Sequence, residues 1–526
     1  MKELRGNVKL YAGVFAFMFA ASMQQNAFAL PPIKIGDVDV GTLTGYASVW
    51  ASWNLQDHPE SDGFGNTIRG KGELSMLRET LQLQYVNANL PSFLPTQSSV
   101  TVIGRLVKES RTTYLKRLDA VPTQTGDLMD NYNINSEAIR EAFIDIPFSK
   151  RVNLRFGKQQ VVWGETDIYQ AMDIINARDL SWNFAGMVPE DEDLRKPLIM
   201  ANMTVAVPEW DGSLQLLYRP GWDRETQVGA TLDLYGGRYA GQPTKGVNLA
   251  GTGLVYNYHH SHGDTDDASY GFRWIGQAGD TNATYSLAYY HSVSPYPVVN
   301  VGAPGLITPY KGSIGVPGGA GAEFILPEFD LVGGTLNAYI QPLDLVLRME
   351  GSFTKDKAYN SDSVKSFASG TILEKNTVNV MVGFDKQFNF MDILGTDSAS
   401  FFTFQLFDTW IPSFDENDRL LDGGAAHLKA HSVNLVTTLG LSYANNQIQP
   451  SIALVTSTSY GSGALIPGVN FLYGNHWRLL VNAILAMPHM LGGCNTAPDG
   501  SGADCTHGLG GQGNNSQLAA RLTYQF

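Results

Sequence analysis

The side chains with the strongest chemical character lie in one segment, between residues 155 and 197. Few glycines or serines occur there, although such residues fill most solvated loops. The segment instead carries carboxylates, an amide, a tryptophan and basic side chains: Arg155, Trp163, Glu165, Asp167, Asp173, Asn176, Asp179 and Arg195. We therefore predict that it packs against charged partners rather than extending into solvent.

Partners for these charges lie on predicted strands elsewhere in the chain. Alternation places Arg78, Arg105, Arg348 and Arg521 on faces that would line a barrel lumen, with Glu350 beside Arg348. Charges in a narrow lumen are costly unless they pair or contact a solute. We predict a constriction of opposed charges. Ion pairs that only hold the segment in place are the other interpretation, and the two are compatible.

Metal and nucleotide sites fit the segment less well. The spacing of Asp167, Asp173 and Asp179 does not match the calcium-loop pattern Asp-x-Asn-x-Asp-Gly, so no metal site is predicted. The run Arg155-Phe-Gly-Lys lacks the Gly-Lys-Ser/Thr that completes a phosphate-binding loop. We predict no cofactor.

An outer-membrane hydrolase is the least favoured class of function. A serine nucleophile needs a nearby histidine, and the chain has no Gly-x-Ser-x-Gly motif. His259, His260 and His262 lie together in the connection 220–267, where a solvated surface is the simpler interpretation. The sequence therefore predicts a protein that is not an enzyme.

The elements that position these residues are predicted strands with a period of two. In Gln517–Phe526, apolar side chains alternate with Gln517, Arg521 and Gln525, as expected for a strand between lipid and a polar lumen. The terminal aromatic-x-Phe ending at Phe526 resembles the insertion signal of bacterial outer-membrane proteins, which the barrel-assembly machinery reads. The sequence thus predicts a transmembrane antiparallel β-barrel in contact with outer-membrane lipid.

Eighteen such segments can be counted, and sixteen is the alternative because the regions 88–97 and 464–473 are ambiguous. The predicted strands lie near 41–55, 72–87, 98–110, 138–148, 151–158, 198–207, 213–219, 268–278, 282–292, 328–340, 345–355, 376–388, 400–408, 431–443, 447–457, 464–473, 477–487 and 517–526. Short turns and long connections fall on opposite ends, as in bacterial barrels. The connection 159–197 then begins and ends at the outer rim, from which it can fold inward.

Aromatic side chains near predicted strand ends suit an interfacial girdle. These are Trp50, Trp53, Tyr85, Phe148, Tyr473 and Trp477, and the other interpretation is that they are ordinary strand residues.

Composition limits location and partners. Residues 1–29 combine Lys2, Arg5 and Lys9 with a short apolar run and Ala27-Phe-Ala29, which predicts a cleaved signal peptide and a barrel over 30–526. The net charge of -14 argues against a nucleic-acid partner. Cys494 and Cys505 enclose a short turn-rich loop, which predicts a disulfide in an oxidising compartment. The predicted location is the outer membrane of a Gram-negative bacterium.

The run Arg155-Phe-Gly-Lys-Gln-Gln, then Trp163-Gly-Glu165, Asp173, Asn176 and Arg195-x-Pro197 resembles one proteobacterial family of outer-membrane proteins. The family is domain-of-unknown-function family thirteen-oh-two, and the chain departs from its pattern at Ala177, where proline is expected. The resemblance implies a large barrel, together with a periplasmic lipid-transfer-like protein and an inner-membrane exporter as partners. It implies no particular substrate.

Two functions remain open at this point. The favoured one is a channel or conduit for a hydrophobic or amphipathic small molecule or lipid, as the outer-membrane part of a trans-envelope export system. The other is a structural or docking barrel whose lumen is plugged. A segment that narrows a pore and one that closes it share composition, so the sequence discriminates poorly between them.

Overall fold

The structure is a computed structural model. It describes residues 33–35, 38–56, 70–88, 90–91, 93–119, 138–178, 191–221, 254–256, 268–279, 282–295, 298–301, 322–369, 371–421, 426–491 and 516–526. The predicted signal peptide, the predicted disulfide of Cys494 and Cys505, and the predicted site residue Asp179 lie outside these ranges.

Eighteen antiparallel strands form the barrel. They are β1 (Val38–Asn54), β2 (Leu74–Asn87), β3 (Ser99–Glu109), β4 (Ile139–Pro147), β5 (Val152–Gln159), β6 (Leu198–Val207), β7 (Gly212–Arg219), β8 (Ser269–Gln277), β9 (Ala283–Val293), β10 (Glu328–Ile340), β11 (Leu345–Ser361), β12 (Ile372–Phe388), β13 (Ser400–Trp410), β14 (His431–Gly440), β15 (Ile448–Ser457), β16 (Ser462–Tyr473), β17 (Trp477–Met487) and β18 (Gln517–Gln525). All eighteen predicted segments coincide with strands, which confirms the predicted fold class and strand number.

The barrel closes because β1 pairs with β18 as well as with β2. Each remaining strand pairs with the strand before and the strand after it, so none of the eighteen presents a free edge. Phe526 completes the seam, since its backbone exchanges hydrogen bonds of 2.9 and 3.0 Å with Gly45.

Short helices and strands decorate the ends of the barrel. The helices are α1 (Thr113–Asp119) and α2 (Met391–Leu394), and the 3-10 turns are Asp191–Asp193, Pro208–Trp210, Gln341–Leu343, Val364–Ser369 and Glu416–Asp418. The additional strands are Ile33–Ile35, Leu254–Tyr256, Val298–Val301, Ala322–Ile325 and Leu420–Leu421. Among the described residues, no helix is long and apolar enough to cross a membrane.

The two ends of the barrel differ in their connections. At the end that carries Gly45 and Phe526, the connections are short, and we name this the turn end. Two of these turns close at Asp211 and Asp344, which adopt left-handed conformations (φ 48° and 49°) that aspartate tolerates better than most residues. The opposite, loop end carries the long connections, as the alternation predicts.

Side chains alternate between the outer surface and the lumen along the strands. In β18, Leu518 and Leu522 are exposed on the outer surface, while Gln517, Ala519 and Arg521 are buried inside. A one-residue shift of register would exchange these faces, so the pattern fixes the pairing.

At the loop end, ion pairs join the connection after β11 to the connection after β13. Arg419 donates to both carboxylate oxygens of Asp362 at 2.6 and 3.0 Å. Lys365 bridges Asp415 and Asp418 at 3.1 and 3.0 Å. These ion pairs hold the two loop-end connections together.

Acid should release this fastening. The backbone N–H of Asn417 and the Lys365 ammonium stabilise the Asp415 carboxylate and lower its pKa from 3.8 to about 2. Because the pKa falls on folding, the stabilisation is complete above about pH 4 and disappears as the pH falls through 2. We expect hydrogen exchange at the Asn417 amide, corrected for its intrinsic rate, to accelerate only below about pH 3. Exchange that is constant between pH 5 and 2 would refute the assignment, and Lys365→Met should move the transition to higher pH.

Candidate functional site

The connection between β5 and β6 turns into the lumen rather than away from it. We name residues 160–197 the inward segment, of which 160–178 and 191–197 are described. These residues contact inward-facing side chains from both halves of the barrel wall, as the following contacts show.

One part of the inward segment packs on the wall formed by β6 to β10. Trp163 is fully buried, donates its indole N–H to Gln215 at 2.9 Å, and meets the ring of Tyr290 edge-on at 5.7 Å. Met172 and Ile175 join the same cluster, which also contains Val161, Leu198, Met200, Leu217, Ala288 and Leu331. Burying a tryptophan or methionine side chain contributes roughly 2 to 3 kcal/mol, so this cluster holds the segment firmly.

A second apolar contact lies across the lumen. Ile168 and Tyr169 pack against inward-facing residues of β12 to β16, and the Tyr169 ring lies 5.1 Å from that of Phe407. The wall residues of this cluster are Met381, Phe407, Val436 and Val455, with Ile466 at its margin. The inner wall is therefore apolar in a region where a polar lumen would be expected.

Charged contacts lie beside these clusters. Arg348 donates to the Glu165 carbonyl at 3.0 Å and pairs with Asp167 at 3.3 Å and with Asp385 of β12 at 3.2 Å. The Asp167 amide donates to Gln405 of β13 at 3.2 Å. Arg348 thus ties the inward segment to two strands at once.

Glu350 holds the segment through its backbone. Its two carboxylate oxygens accept hydrogen bonds from the amides of Glu165 and Met172. Next along the same face of β11, the Ser352 hydroxyl donates to the Ala171 carbonyl at 2.8 Å. These contacts satisfy backbone N–H and C=O groups of the inward segment, which has no regular secondary structure here and is buried away from water.

Inside the segment, Asp173 is the central ionic residue. Its Oδ2 accepts from Arg195 at 2.6 and 3.0 Å and from Arg178 at 3.2 Å, and all three side chains are buried. Asn176 joins the two described parts of the inward segment, residues 160–178 and 191–197. Its Oδ1 accepts from the Val161 amide and its Nδ2 donates to the Lys196 carbonyl, each at 2.8 Å.

Residues 191–197, which we name the returning arm, contact the wall near the seam of β1 and β18. Asp193 pairs with Arg105 of β3 and lies 3.6 Å from Arg521 of β18. Arg140 of β4 donates to the carbonyls of Glu192 and Arg195. The segment is therefore fastened by charge at two separate parts of the wall.

Two predicted site residues pair within the wall. Arg78 pairs with Glu109 of β3 at 3.3 Å and lies 5.4 Å from the ring centre of Trp50. Arg155 forms a two-point contact with Asp145 of β4 at 2.9 and 3.1 Å. The girdle prediction is wrong for Trp50, which is buried on the inner face because its register partner is the inward-facing Arg521.

Sequence reasoning missed Arg140, Glu192, Asp193 and Asp385. Asp193 stands in an acidic run that gives no periodicity, and its partners come from strands distant in sequence. Asp385 had a usable signal, since β12 alternates and places it on the face opposite Phe384. Within the described residues, no group of three or more histidine, cysteine or acidic residues could hold a metal ion.

Comparison with known proteins places this architecture in a family. The family described as "Protein of unknown function (DUF1302)" matches residues 107–487, which is well over half of the chain. The chain belongs to this family. The matched range contains the inward segment and the strands from β4 to β17, whereas Trp50, Arg78, Arg105 and Arg521 lie outside it.

No curated protein matches the chain. Among solved structures, the outer membrane channel DcaP of Acinetobacter baumannii matches with 11% identity and a TM-score of 0.39, over 94% of this chain and 100% of that one. OccAB1 of Acinetobacter baumannii matches with 8% identity and a TM-score of 0.44, over 95% and 98%. OccK11 of Pseudomonas aeruginosa matches with 8% identity and a TM-score of 0.41, over 92% and 96%. At these values the similarity says nothing about a substrate of the DUF1302 chain.

Proposed function

We propose that the chain is an outer-membrane conduit for a hydrophobic or amphipathic small molecule, and that the inward segment is its movable closure. A closed barrel with apolar outward faces suits a lipid bilayer, because each of the eighteen strands pairs with a neighbour on both sides and none presents a free edge. The turn end would face the periplasm, and the loop end would face outward.

The observation that carries this proposal is an apolar track on the inner wall. It begins at the cluster under Tyr169 and continues through Ile466, which also contacts a second cluster. That second cluster consists of Trp50, Met76, Ala464, Ile484 and Ala519. A lumen for ions and sugars needs no such track, whereas an acyl chain or ring system would gain by following it.

Uptake of a hydrophobic dye tests the proposal. In cells that carry the chain in an outer membrane containing lipopolysaccharide, we expect N-phenyl-1-naphthylamine to enter faster than in cells without it. Val436→Thr combined with Val455→Thr keeps the volume of the track but buries two hydroxyls, which cost about 1 to 3 kcal/mol each. We expect that variant to lower the entry rate by about threefold or more.

The matched control is Thr438→Val, which lies on the inner face of β14 nearer the turn end and should not slow entry. Equal rates for cells with and without the chain would remove the support for a hydrophobic substrate.

A plugged docking barrel is the second candidate, and the double fastening of the inward segment favours it. In that case the segment never leaves the wall, and a partner binds at either end. A periplasmic lipid-transfer-like protein and an inner-membrane exporter, which the family resemblance suggested, would meet the turn end under both proposals. Dye entry that depends on the track separates the two functions.

A further inference from the structure

The hydrogen-bond ladder of the barrel wall is interrupted between β16 and β17, at Pro467. The pairing of these strands runs from Gly463–Met487 to Leu465–Leu485 and resumes at Gly468–Asn482 in the same register. The two intervening pairs, at Ile466 and Pro467, are absent. Among the ladders of the described barrel strands, only this one loses two consecutive pairs without a register shift.

Proline explains the interruption. It has no N–H to give to the ladder, and it is normally confined to edges or bulges of a sheet. Pro467 nevertheless stands in the middle of a twelve-residue strand and keeps its pairing to β15 opposite Ile452. The result is an interruption of the hydrogen-bond ladder on one side of β16 only, across which the two strands keep their register, and we name this interruption the slit.

A groove lies over this slit on the outer surface. It has a volume of about 470 Å³, and its lining is almost entirely apolar, with Pro450, Ile452, Pro467 and Ala483 among the residues. Its floor also includes Ser451, Gly468 and Asn482, whose positions alternate toward the lumen.

The inner side of the slit lies on the apolar track. Ile466 is the residue that contacts both inner clusters, and Ile484, its register partner across the gap, is a buried member of the second cluster. An apolar surface inside, an interrupted ladder and an apolar groove outside therefore coincide at one position at mid-height.

We propose that this slit is a lateral portal through which an amphiphile with an acyl chain passes between the lumen and the hydrocarbon core of the membrane. The chain would slide between Ile466 and Ile484 while its polar head stays in the lumen. A lateral route avoids moving an apolar chain into the water beyond the loop end. This inference rests on the proposed function and adds to it the class of substrate and its exit.

Photo-crosslinking of the full chain in lipid nanodiscs tests the portal. The probe is dodecanoic acid with a diazirine at the chain terminus, and the labelled residues are identified by mass spectrometry. Outward residues such as Ile452 should be labelled in every variant, because lipid surrounds them. Labelling of Ile484, on the inner side, reports entry.

Closing the slit should abolish inner labelling. Pro467→Val restores an N–H and a residue suited to strands, and we expect labelling of Ile484 to fall by about fivefold or more while Ile452 is unchanged. A disulfide between cysteines at Leu465 and Leu485, with Cys494 and Cys505 replaced by serine, should have the same effect, and reduction should reverse it. The matched control is a cysteine pair at Leu406 and Leu435, register partners in the intact ladder of β13 and β14 that lie outside the groove.

The outcomes separate the two proposals. Inner labelling that is equal in wild type and both closed variants would overturn the portal while leaving an axial conduit in place. Absence of inner labelling in wild type, together with dye entry that the track variants do not change, would overturn the conduit as well.

Discussion

Deletion of residues 163–194 should convert a nearly closed barrel into a large, steady pore. An eighteen-stranded barrel encloses a water-filled channel unless something fills it. In this chain the inward segment contacts the walls of β6 to β10 and of β12 to β16, and its returning arm reaches β3 and β18. In planar bilayers we expect single-channel conductance to rise by about tenfold or more on deletion.

The strands themselves provide the control for this deletion. Their register is set by alternation and closure, so the variant should retain its heat-modifiable migration and its strand content. A wild-type channel as conductive as the deletion variant would mean that the segment does not close the lumen. If neither protein conducts, the lumen is filled by other parts of the chain, and the docking barrel becomes the better proposal.

Asp173→Asn should release the inward segment without removing it. The substitution leaves the buried guanidinium groups of Arg178 and Arg195 without the carboxylate that both contact. Breaking a buried ion pair in this way costs about 3 to 5 kcal/mol. The population of open channels should therefore rise by about a hundredfold to a few thousandfold, visible as flickering between closed and open levels.

Asp145→Asn is the matched control for this substitution. It breaks the pair of Asp145 with Arg155, which joins two neighbouring strands and does not involve the inward segment. Asp173→Asn loses two ion pairs and Asp145→Asn loses one, but only Asp173→Asn should flicker. Equal flickering in the two would mean that lumen charge in general, rather than the closure by the segment, controls opening.

The fold could be predicted from sequence because a barrel strand has a short, local signature. Each segment of about ten residues shows its own alternation, as in Leu345–Phe353, and the sorting of short and long connections checks the count independently. Family membership likewise followed from a local motif around Trp163 and Glu165. These features depend on neighbours in the chain, which a sequence displays directly.

The site could be predicted only in part, because its geometry depends on contacts across the lumen. Alternation placed Arg105 and Arg348 inside, yet nothing in the sequence pairs Arg105 with Asp193, 88 residues away. For the same reason, the sequence does not show that the Glu350 carboxylate accepts hydrogen bonds from backbone amides of the inward segment. Trp50 misled for a related reason, since an aromatic near a strand end suits a girdle and an inner stack with Arg521 equally well.

The slit at Pro467 shows a different limit. The region 464–473 is ambiguous in the sequence, and it contains Pro467, a residue type that is disfavoured in strand interiors. The strand is present, and the effect of the proline is the loss of two ladder pairs between β16 and β17. A residue that weakens a prediction can therefore mark a feature of the fold.

Locking the inward segment to the wall tests most directly whether this segment is a movable closure. Cysteines at Ala171 and Ser352, where the hydroxyl now donates to the carbonyl at 2.8 Å, would join the segment to β11 in a background with Cys494 and Cys505 replaced by serine. Entry of N-phenyl-1-naphthylamine is then measured in the same cells before and after reduction. If the inward segment is a movable closure, the dye should not enter above background while the disulfide is formed, and it should enter at the wild-type rate once the disulfide is reduced. Undiminished entry through the locked protein would contradict a movable closure.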